Sequence, residues 1–441
     1  MGNLPKVLVV SINAWKDNTG INTLIELFKF WDKEKLAQIY TKSAMPSTQI
    51  CERFFRISEN AVLKSIFNRK VETGKQVYNE DDISEQEQQA IEQEQQLYKK
   101  GRKQQSWFLA IARDIVWQIG KWKTEALNQF IDEFNPDVLF LPIYPTIYMG
   151  VIQNYILKKT GKPAVCYLAD DNYTYKPLGR NLLAYVHRFF LRKVVKKVVK
   201  QCNQVFVIAP KQKEEYDRIF DVNSVVLTKG IDYSKYPYEK PVLHQPIRMV
   251  YTGKLIIGRW KSLTAIAEAM EKINKDKERI ILDIYTTDIL TKQQEQLLNR
   301  NGCCVRGAVS LQEVERIQKE SDIVVFVESL EKEYKNVARL SFSTKITDYL
   351  KSGKCIFAIG DKDIAPIDYF NRYDSAITVS SYEEIIERLE QLASNHGIIY
   401  EYALKAYECG LENHEQMKTR KLLIKTICDV NSHNEGKWEC E

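Results

Sequence analysis

The stretch RMVYTGKLIIGRWKSL, residues 248–263, is the most informative part of the sequence for the fold. It passes from a short apolar run, through a loop that contains Gly253, Lys254 and Arg259, into a helical pattern. A near-continuous apolar run is typical of a parallel strand that is covered on both faces. The stretch therefore predicts a strand, a loop that can face a ligand, and a helix, which is the repeating unit of a doubly wound α/β domain.

The same pattern recurs in both directions along the chain. In the first half, the apolar runs cover residues 6–12, 35–41, 137–142, 164–170, 204–209 and 224–230. In the second half, they also cover residues 279–286, 303–307, 322–328, 354–360 and 375–380. Helical patterns separate nearly all of these runs, and a structure-poor joint interrupts the series. The alternation favours two doubly wound α/β domains over one barrel.

Chain length also favours two domains, because 441 residues exceed the roughly 250–300 that one core usually organises. The joint is YPYEKPVLHQP at residues 236–246, a polar segment with three prolines. We expect a first domain over residues 1–235 and a second over residues 247–430, whose last helices can pack back on the first domain, before a tail over residues 431–441. The Glu- and Gln-rich segment 80–105 predicts a solvated helical excursion from the first domain.

Composition narrows the class of protein. With 44% hydrophobic and 28% charged residues, the chain lies in the globular range, which excludes a disordered or fibrous protein. No run approaches the ~18 apolar residues of a membrane span, and the N-terminus has no signal-peptide pattern, so we expect a cytoplasmic protein. Nine cysteines without C-x-x-C spacing predict reduced thiols, and five dispersed histidines predict no metal site.

Basic residues are concentrated in two helical patterns of the first half, although the net charge of +6 is mild. Residues 180–201 carry an apolar stripe among Lys and Arg side chains, and residues 99–123 interleave tryptophans with cations. The stripe consists of Leu183, Val186, Phe190, Val194 and Val198, and the tryptophans are Trp107, Trp117 and Trp122. Such helices can lie on an anionic membrane surface at the inner face of the cell membrane. They can equally be domain-surface helices with the stripe in the core. No nucleic-acid signature accompanies the charge, so a nucleic-acid partner is not expected.

The loop after residue 252 carries groups that suit an anionic ligand. Gly253 allows close approach of the backbone, and the cations Lys254 and Arg259 in the strand-to-helix loop can hold a diphosphate leaving group. The alternative for a single loop arginine is a solvated side chain.

The segment SFSTKITDYLKSGK, residues 341–354, predicts a second anion-binding element. Ser343 is the expected N-cap of a helix, and the free N–H groups of Thr344 and Lys345 favour an anion together with the helix dipole. Asp348 lies one turn after Thr344 and can offer its carboxylate to a sugar hydroxyl. The alternative is a helix cap without a ligand.

The order and spacing of these residues resemble the retaining family 4 glycosyltransferases of bacterial capsule and polysaccharide synthesis. That family carries a G-[RK]-L loop with a second cation five residues on, and later a block that ends [ED]-Y-L-x-S-G-K-x-I. Here the loop has Gly253, Lys254 and Arg259, and the block is DYLKSGKCI at residues 348–356. The resemblance covers most of the second half. It implies the GT-B fold class, in which two doubly wound Rossmann-like domains face each other across a cleft.

The resemblance also implies roles for these residues in a metal-independent site. The two loop cations hold the diphosphate of a nucleotide-sugar donor, the helix start at Ser343 caps it, and Asp348 binds the ribose. The family usually carries a further Glu eight residues before that carboxylate, where this chain has Leu340. Glu328 or Ser329 is then the candidate for sugar recognition. The donor is a substrate, and no cofactor is expected.

Two segments of the first half resemble the family more loosely. Gly20, in the polar loop at residues 13–22, would let that loop approach the diphosphate. Asp170 and Asp171 end the strand in YLADDNYTYKP and could orient or deprotonate an acceptor hydroxyl, since adjacent like charges can raise one pKa. The alternative for the two aspartates is a turn and a helix cap.

The sequence as a whole predicts a hexosyl- or related glycosyltransferase of cell-surface polysaccharide synthesis. Its partners would be a nucleotide-diphosphate sugar and a saccharide or lipid-linked acceptor, with retention at the anomeric carbon. Two alternatives stay open. A nucleotide-sugar 2-epimerase shares the architecture and needs no acceptor, and a catalytically weak assembly partner would bind the sugar nucleotide without transferring it.

Overall fold

A computed structural model of the protein describes residues 4–17, 23–79, 91, 107–179 and 181–435. The chain divides into two compact α/β units. The first consists of Met1–Ile208, Lys213–Leu227 and Arg420–Glu441, and the second of Ala209–Gln212 and Thr228–Thr419. The segment at residues 236–246, which the sequence predicts as a hinge, lies within the second unit. Most of the predicted excursion at residues 80–105 lies outside the described residues.

The first unit is built on a sheet of eight strands in the order β4-β3-β2-β1-β5-β6-β7-β8. The strands are β1 (Val7–Val10), β2 (Leu36–Tyr40), β3 (Arg53–Ile57), β4 (Gly74–Val77), β5 (Val138–Pro142), β6 (Ala164–Leu168), β7 (Gln204–Val207) and β8 (Val225–Val226). All neighbouring pairs are parallel except β3 and β4, which are antiparallel. The six apolar runs of the first half all form strands, whereas the sequence did not predict β3 and β4.

The helices that accompany this sheet lie between the strands in the chain. They are α1 (Thr23–Phe28), α2 (Glu59–Phe67), α3 (Trp107–Ile119), α4 (Glu125–Phe134), α5 (Ile147–Thr160), α6 (Leu182–Val199) and α7 (Pro210–Phe220). The last helix, α16 (Gln416–Glu435), returns to the first unit and places Leu423, Ile427 and Val430 in its core. It extends to Glu435, whereas the sequence predicts a tail from residue 431.

The second unit is built on a parallel sheet in the order β11-β10-β9-β12-β13-β14. The strands are β9 (Ile247–Thr252), β10 (Ile280–Tyr285), β11 (Cys303–Gly307), β12 (Ile323–Val327), β13 (Cys355–Ile359) and β14 (Ile377–Val379). The helices are α8 (Arg259–Ile273), α9 (Lys292–Leu298), α10 (Leu311–Glu320), α11 (Lys332–Ala338), α12 (Thr344–Lys351), α13 (Ala365–Arg372), α14 (Tyr382–Ser394) and α15 (His396–Asn413). Each strand of this sheet coincides with one predicted apolar run.

Central strands are buried on both faces, which explains their continuous apolar sequences. Every residue of β5, β6, β12 and β13 is buried. In the second sheet, the chain moves outward in one direction from β9 to β10 and β11, and in the other from β12 to β13 and β14. Loops that leave β9 and β12 therefore diverge at the carboxyl edge, and ligands of doubly wound sheets bind at such a switch point.

Candidate functional site

The loop between β9 and α8 is fixed by backbone contacts at its start. The Gly253 N–H donates to the Tyr285 carbonyl at 2.9 Å, and the Leu255 N–H donates to Asp288 Oδ2 at 2.6 Å. Just before α8, Ile257 and Gly258 have φ angles of 59° and 71°, in the left-handed region. A β-branched residue adopts that conformation rarely, and such strain is concentrated at functional loops. The loop is therefore held in a specific, strained shape.

Arg259 follows this loop, but it is the first residue of α8 and not a loop residue as predicted. Its guanidinium forms two hydrogen bonds to Glu328, which comes directly after β12. Nη2 lies 2.7 Å from Glu328 Oε1, and Nε lies 3.1 Å from Oε2. The Arg259 side chain is 21% exposed and that of Glu328 is 6% exposed. Burial lowers the pKa of Arg259, but the Glu328 carboxylate outweighs it, so the net pKa is raised.

This ion pair fixes the direction of the arginine. Of the five guanidinium N–H groups, the contacts to Glu328 use one on Nε and one on Nη2, which leaves three for another acceptor. The sequence suggested Glu328 as a candidate for sugar recognition. In the structure, both of its carboxylate oxygens accept hydrogen bonds from Arg259. The arrangement can present a pre-oriented cation to an anion at the switch point.

Lys345, the second residue of α12, brings another cation to the same loop. Its Nζ donates to the Thr252 carbonyl at 2.8 Å, and it lies so close to Gly253 that a Cβ there would be 1.9 Å from it. Burial, and then the charge of Arg259, lower the pKa of Lys345 to about 8. A ligand with negative charge would favour its protonated form and raise this pKa. Lys254 is exposed at the start of the loop.

Ser343 is the N-cap of α12, as predicted, and its Oγ accepts the Lys345 N–H at 3.3 Å. That bond occupies one of the two backbone donors expected for an anion. The Thr344 N–H makes no hydrogen bond within the described residues. Of the two backbone N–H groups predicted to bind an anion at the start of α12, that of Thr344 is therefore available and that of Lys345 is not.

Asp348 lies one turn further along α12 and is half-exposed. Its Oδ1 accepts a salt bridge from Lys229 Nζ at 3.3 Å. A ribose hydroxyl would share this carboxylate with Lys229. Leu340, at the place where the family usually has Glu, is fully buried, so its side chain is part of the core. Ser329 is buried as well, and its Oγ accepts the Glu331 N–H at 3.2 Å.

Asp170 and Asp171 follow β6 in the first unit, and their environments differ. Asp170 is exposed, whereas Asp171 is buried. Asp171 Oδ1 accepts the Thr174 N–H at 2.9 Å and the Tyr216 hydroxyl at 3.1 Å, while Oδ2 accepts the Thr174 hydroxyl. This is the turn that the sequence left open as an alternative. The cap of α6 is Asn181, so Asp171 does not cap a helix.

The polar loop after β1 is described only in its first part, since Gly20 lies outside the described residues. Gln38 on β2 is fully buried and holds this part of the loop, which sequence reasoning missed. Its Nε2 donates to Ser11 Oγ at 2.7 Å and to the Asn13 carbonyl at 2.9 Å, and its Oε1 accepts the Trp15 N–H at 3.2 Å. The sequence did carry a signal for this role, because Gln38 is a polar amide within the otherwise apolar strand β2, and a buried amide needs hydrogen-bond partners.

Two further observations concern metals and membranes. Among the described residues, no three His, Cys, Asp or Glu side chains form a group that could hold a metal ion. No helix in the described ranges has the length and apolar character needed to cross a bilayer.

Comparison with known proteins supports the fold through structure alone. No protein-family model matches this sequence, and no curated protein matches it. Among solved structures, Anabaena Alr3699/HepE in complex with UDP matches with a TM-score of 0.62 at 10% identity, over 96% of this chain and all (100%) of that one. An α,α-trehalose 6-phosphate synthase from Burkholderia multivorans matches with a TM-score of 0.59 at 9% identity, over 100% of both chains. TarM matches with a TM-score of 0.58 at 10% identity, over 97% of this chain and 98% of that one.

These likenesses extend over both units, and the neighbours are GT-B glycosyltransferases with Rossmann-like domains. The predicted fold class, GT-B with two doubly wound Rossmann-like domains, is confirmed. The finer resemblance to retaining family 4 enzymes remains a prediction.

Proposed function

We propose that this protein is a glycosyltransferase that binds a nucleotide-diphosphate sugar on its second unit and transfers the sugar with retention. One observation carries the proposal. Arg259 and Lys345 meet beside Gly253 at the switch point of the second sheet, next to the helix start at Thr344. Two cations, a backbone N–H and a glycine that admits close approach form a site suited to a diphosphate.

The same groups account for the chemistry of transfer. When the anomeric C–O bond breaks, negative charge grows on the leaving diphosphate. The arginine, fixed by Glu328, and the buried ammonium of Lys345 stabilise that charge without reorganising, which lowers the barrier. Lys254 adds a further cation from the loop, and the step uses no metal. Asp348 binds the ribose through the oxygen that does not face Lys229.

The acceptor side of the proposal rests on the first unit. Asp170 is the residue that can orient or deprotonate an acceptor hydroxyl, because it is exposed at the end of β6. Asp171 acts indirectly, because its hydrogen bonds to Thr174 and Tyr216 stabilise the turn in which Asp170 is exposed. We infer a saccharide or lipid-linked acceptor and a role in cell-surface polysaccharide synthesis, with the enzyme at the inner face of the cell membrane.

UDP is the first ligand to test, because HepE, which has the same fold, was solved with UDP and with UDP-glucose. Calorimetry should detect UDP binding to the wild type and about ten-fold weaker binding to Asp348→Asn, since a ribose hydroxyl loses a charged acceptor. Asp283→Asn, on β10 and paired with Arg306, is a control that should bind as wild type does. Equal affinity of Asp348→Asn and wild type would show that the ribose is bound elsewhere.

A further inference from the structure

The predicted apolar stripe of helix α6 is divided between the core and the solvent, and Val198 is its buried end. The buried residues of the helix are Ala184, His187, Arg188, Leu191, Val195, Val198 and Val199. The first half of the predicted stripe is instead in solvent, since Leu183 is 44%, Val186 44% and Phe190 51% exposed. Leu182 and Phe189 lie beside them, also exposed. His187 lies on the buried face of the helix, where its ring bonds to Asp114.

Helix α3 fits the alternative in which the tryptophans of its stretch belong to the core. The tryptophans expected to interleave with surface cations are mostly core residues, because Trp117 is buried and stacks on Tyr148, with ring centroids 4.6 Å apart. Trp122, just after the helix, is buried as well. Phe108, Ile115 and Ile119 are exposed instead, at the i, i+7 and i+11 spacing of one helix face.

The two helices pack against each other through a buried polar contact. His187 Nε2 of α6 lies 2.8 Å from Asp114 Oδ2 of α3, and the His187 ring lies 5.5 Å from the Trp107 ring. Because the two helices pack side by side, we infer that their exposed apolar stripes share one surface of the first unit. We call this surface the α3–α6 face. It consists of Phe108, Ile115, Ile119, Leu182, Leu183, Val186, Phe189 and Phe190.

The exposed charges that helices α3 and α6 themselves contribute are cations. Lys193, Lys196, Lys197 and Lys200 are exposed along the second half of α6 and its C-cap, and none forms an ion pair within the described part of the chain. Lys193 Nζ lies 4.4 Å from the Phe189 ring centroid. Helix α6 contains no acidic residue, and the one acid of α3 is Asp114, which is buried.

Two other cations of α6 serve the fold and are not available to a partner. Arg188 donates to the Asp171 carbonyl at 3.1 Å, and the Arg192 guanidinium lies 4.1 Å from the Tyr173 ring centroid. The remaining positive charge is thus confined to the four lysines. A helix face with Phe and Leu at one end and unpaired lysines at the other is complementary to a bilayer, whose acyl region takes the rings and whose anionic head groups take the ammonium groups.

We propose that the α3–α6 face binds the surface of an anionic lipid bilayer, with the apolar stripes of the two helices in the interfacial region and the four lysines at the head groups. Helix α6 follows directly after the β6 loop that carries Asp170, so a bilayer on this face would lie beside that loop. This inference rests on the membrane location in the proposed function and assigns a surface to it, whereas donor binding does not require lipid. Vesicle binding and UDP binding can therefore fail separately.

Co-sedimentation of the full chain with vesicles tests the proposal at low salt. We expect binding to phosphatidylcholine vesicles that contain about one third phosphatidylglycerol, and little binding to phosphatidylcholine alone. Each lysine near an anionic leaflet contributes about five-fold in partitioning. Replacing Lys193, Lys196, Lys197 and Lys200 by Gln should therefore weaken binding at least 20-fold, and higher ionic strength should weaken it in the wild type too.

Two further variants separate lipid binding from general charge and from folding. Lys272, Lys275, Lys277 and Lys292 in the second unit are also exposed, and replacing all four by Gln removes the same charge but should leave vesicle binding unchanged. Leu182→Gln with Phe189→Gln should weaken binding at least ten-fold, leave UDP affinity unchanged and keep the melting temperature close to that of the wild type, because Leu182 is 76% and Phe189 48% exposed.

Three outcomes would overturn the proposal. The first is equal recovery with anionic and neutral vesicles. The second is the same loss of binding in both four-lysine variants. The third is a stable dimer in light scattering that Leu182→Gln with Phe189→Gln dissociates, without vesicle binding by the wild type, which would assign the α3–α6 face to a second copy of the chain.

Discussion

The pairing of Arg259 with Glu328 makes a prediction that a single substitution cannot test. Arg259→Ala would remove the proposed diphosphate ligand and would also leave a buried carboxylate without its counter-charge. Lost activity could then come from lost folding. A double-mutant cycle with Arg259→Gln and Glu328→Gln separates the two effects, because the double variant removes both charges while it keeps polar side chains that can still form hydrogen bonds.

The magnitude follows from the burial of the two side chains, 21% exposed for Arg259 and 6% for Glu328. Removing one partner of a buried pair costs about 3–5 kcal/mol, and the partial exposure of Arg259 favours the lower end. We therefore expect each single variant to lose about 3 kcal/mol of unfolding free energy. The double variant should lie within about 1 kcal/mol of the wild type, because no charge is left buried alone.

Thermal unfolding and UDP calorimetry on the same four proteins form the assay. A loss of about 3 kcal/mol should lower the melting temperature by roughly 6–12 °C for a unit of this size. UDP binding should be at least ten-fold weaker in both proteins that lack Arg259, including the stable double variant. If the double variant were as unstable as the single ones, the two charges would not be coupled. If it bound UDP as well as the wild type, Arg259 would not be a diphosphate ligand.

Two further predictions concern the same loop. Because the pKa of Lys345 is lowered to about 8 from its ordinary 10.5, the ammonium loses its proton as pH rises through 8, and a bound diphosphate would hold that proton. UDP affinity should fall as pH rises from 7 to 9.5, by up to ten-fold per pH unit, and Lys345→Met should remove this dependence in calorimetry. Ile257→Asn should raise the unfolding free energy by about 0.5–1 kcal/mol, since Asn tolerates the left-handed φ of 59°, while Ile256→Asn, at an exposed residue without positive φ, should not. A lower melting temperature for Ile257→Asn than for the control would contradict the strain assigned to this loop.

The sequence predicts the strands that are buried on both faces and misses those at one edge of the first sheet. Runs such as DVLFLP at residues 137–142 and KCIFAIG at residues 354–360 become fully buried strands, so their apolar content is continuous. Strand β3, RFFRI, has arginines at Arg53 and Arg56, and β4, GKQV, has two exposed residues. Strand β4 is the edge strand and buries only Val77, so it can be polar. Strand β3 is paired on both sides and buries Phe54, Phe55 and Ile57, but its two arginines interrupt the apolar run on which the prediction depends.

Helix faces are harder to predict than helices, and α6 shows why. An apolar stripe normally marks the buried face, because burial of apolar area stabilises the fold. In α6 the buried face includes His187 and Arg188, whose polar atoms find partners in Asp114 and in the Asp171 carbonyl. Those partners are distant in sequence, so no local pattern indicates them. The exposed apolar stripe is a consequence that only the packed structure makes visible.

The proposed donor site shows the same limit at the level of single contacts. Spacing after β9 identified Gly253, Lys254 and Arg259, since loops at the carboxyl edge of a parallel sheet face ligands. It could not identify Glu328 as the partner of Arg259, because the two residues are 69 positions apart and meet only through the pairing of β9 with β12. That pairing changes the role of the carboxylate from a candidate sugar ligand to the group that orients a cation. Leu340, at the position where the resembling family usually has Glu, is buried, and Glu328 is paired with Arg259. A residue that recognises the sugar must therefore be sought at another position.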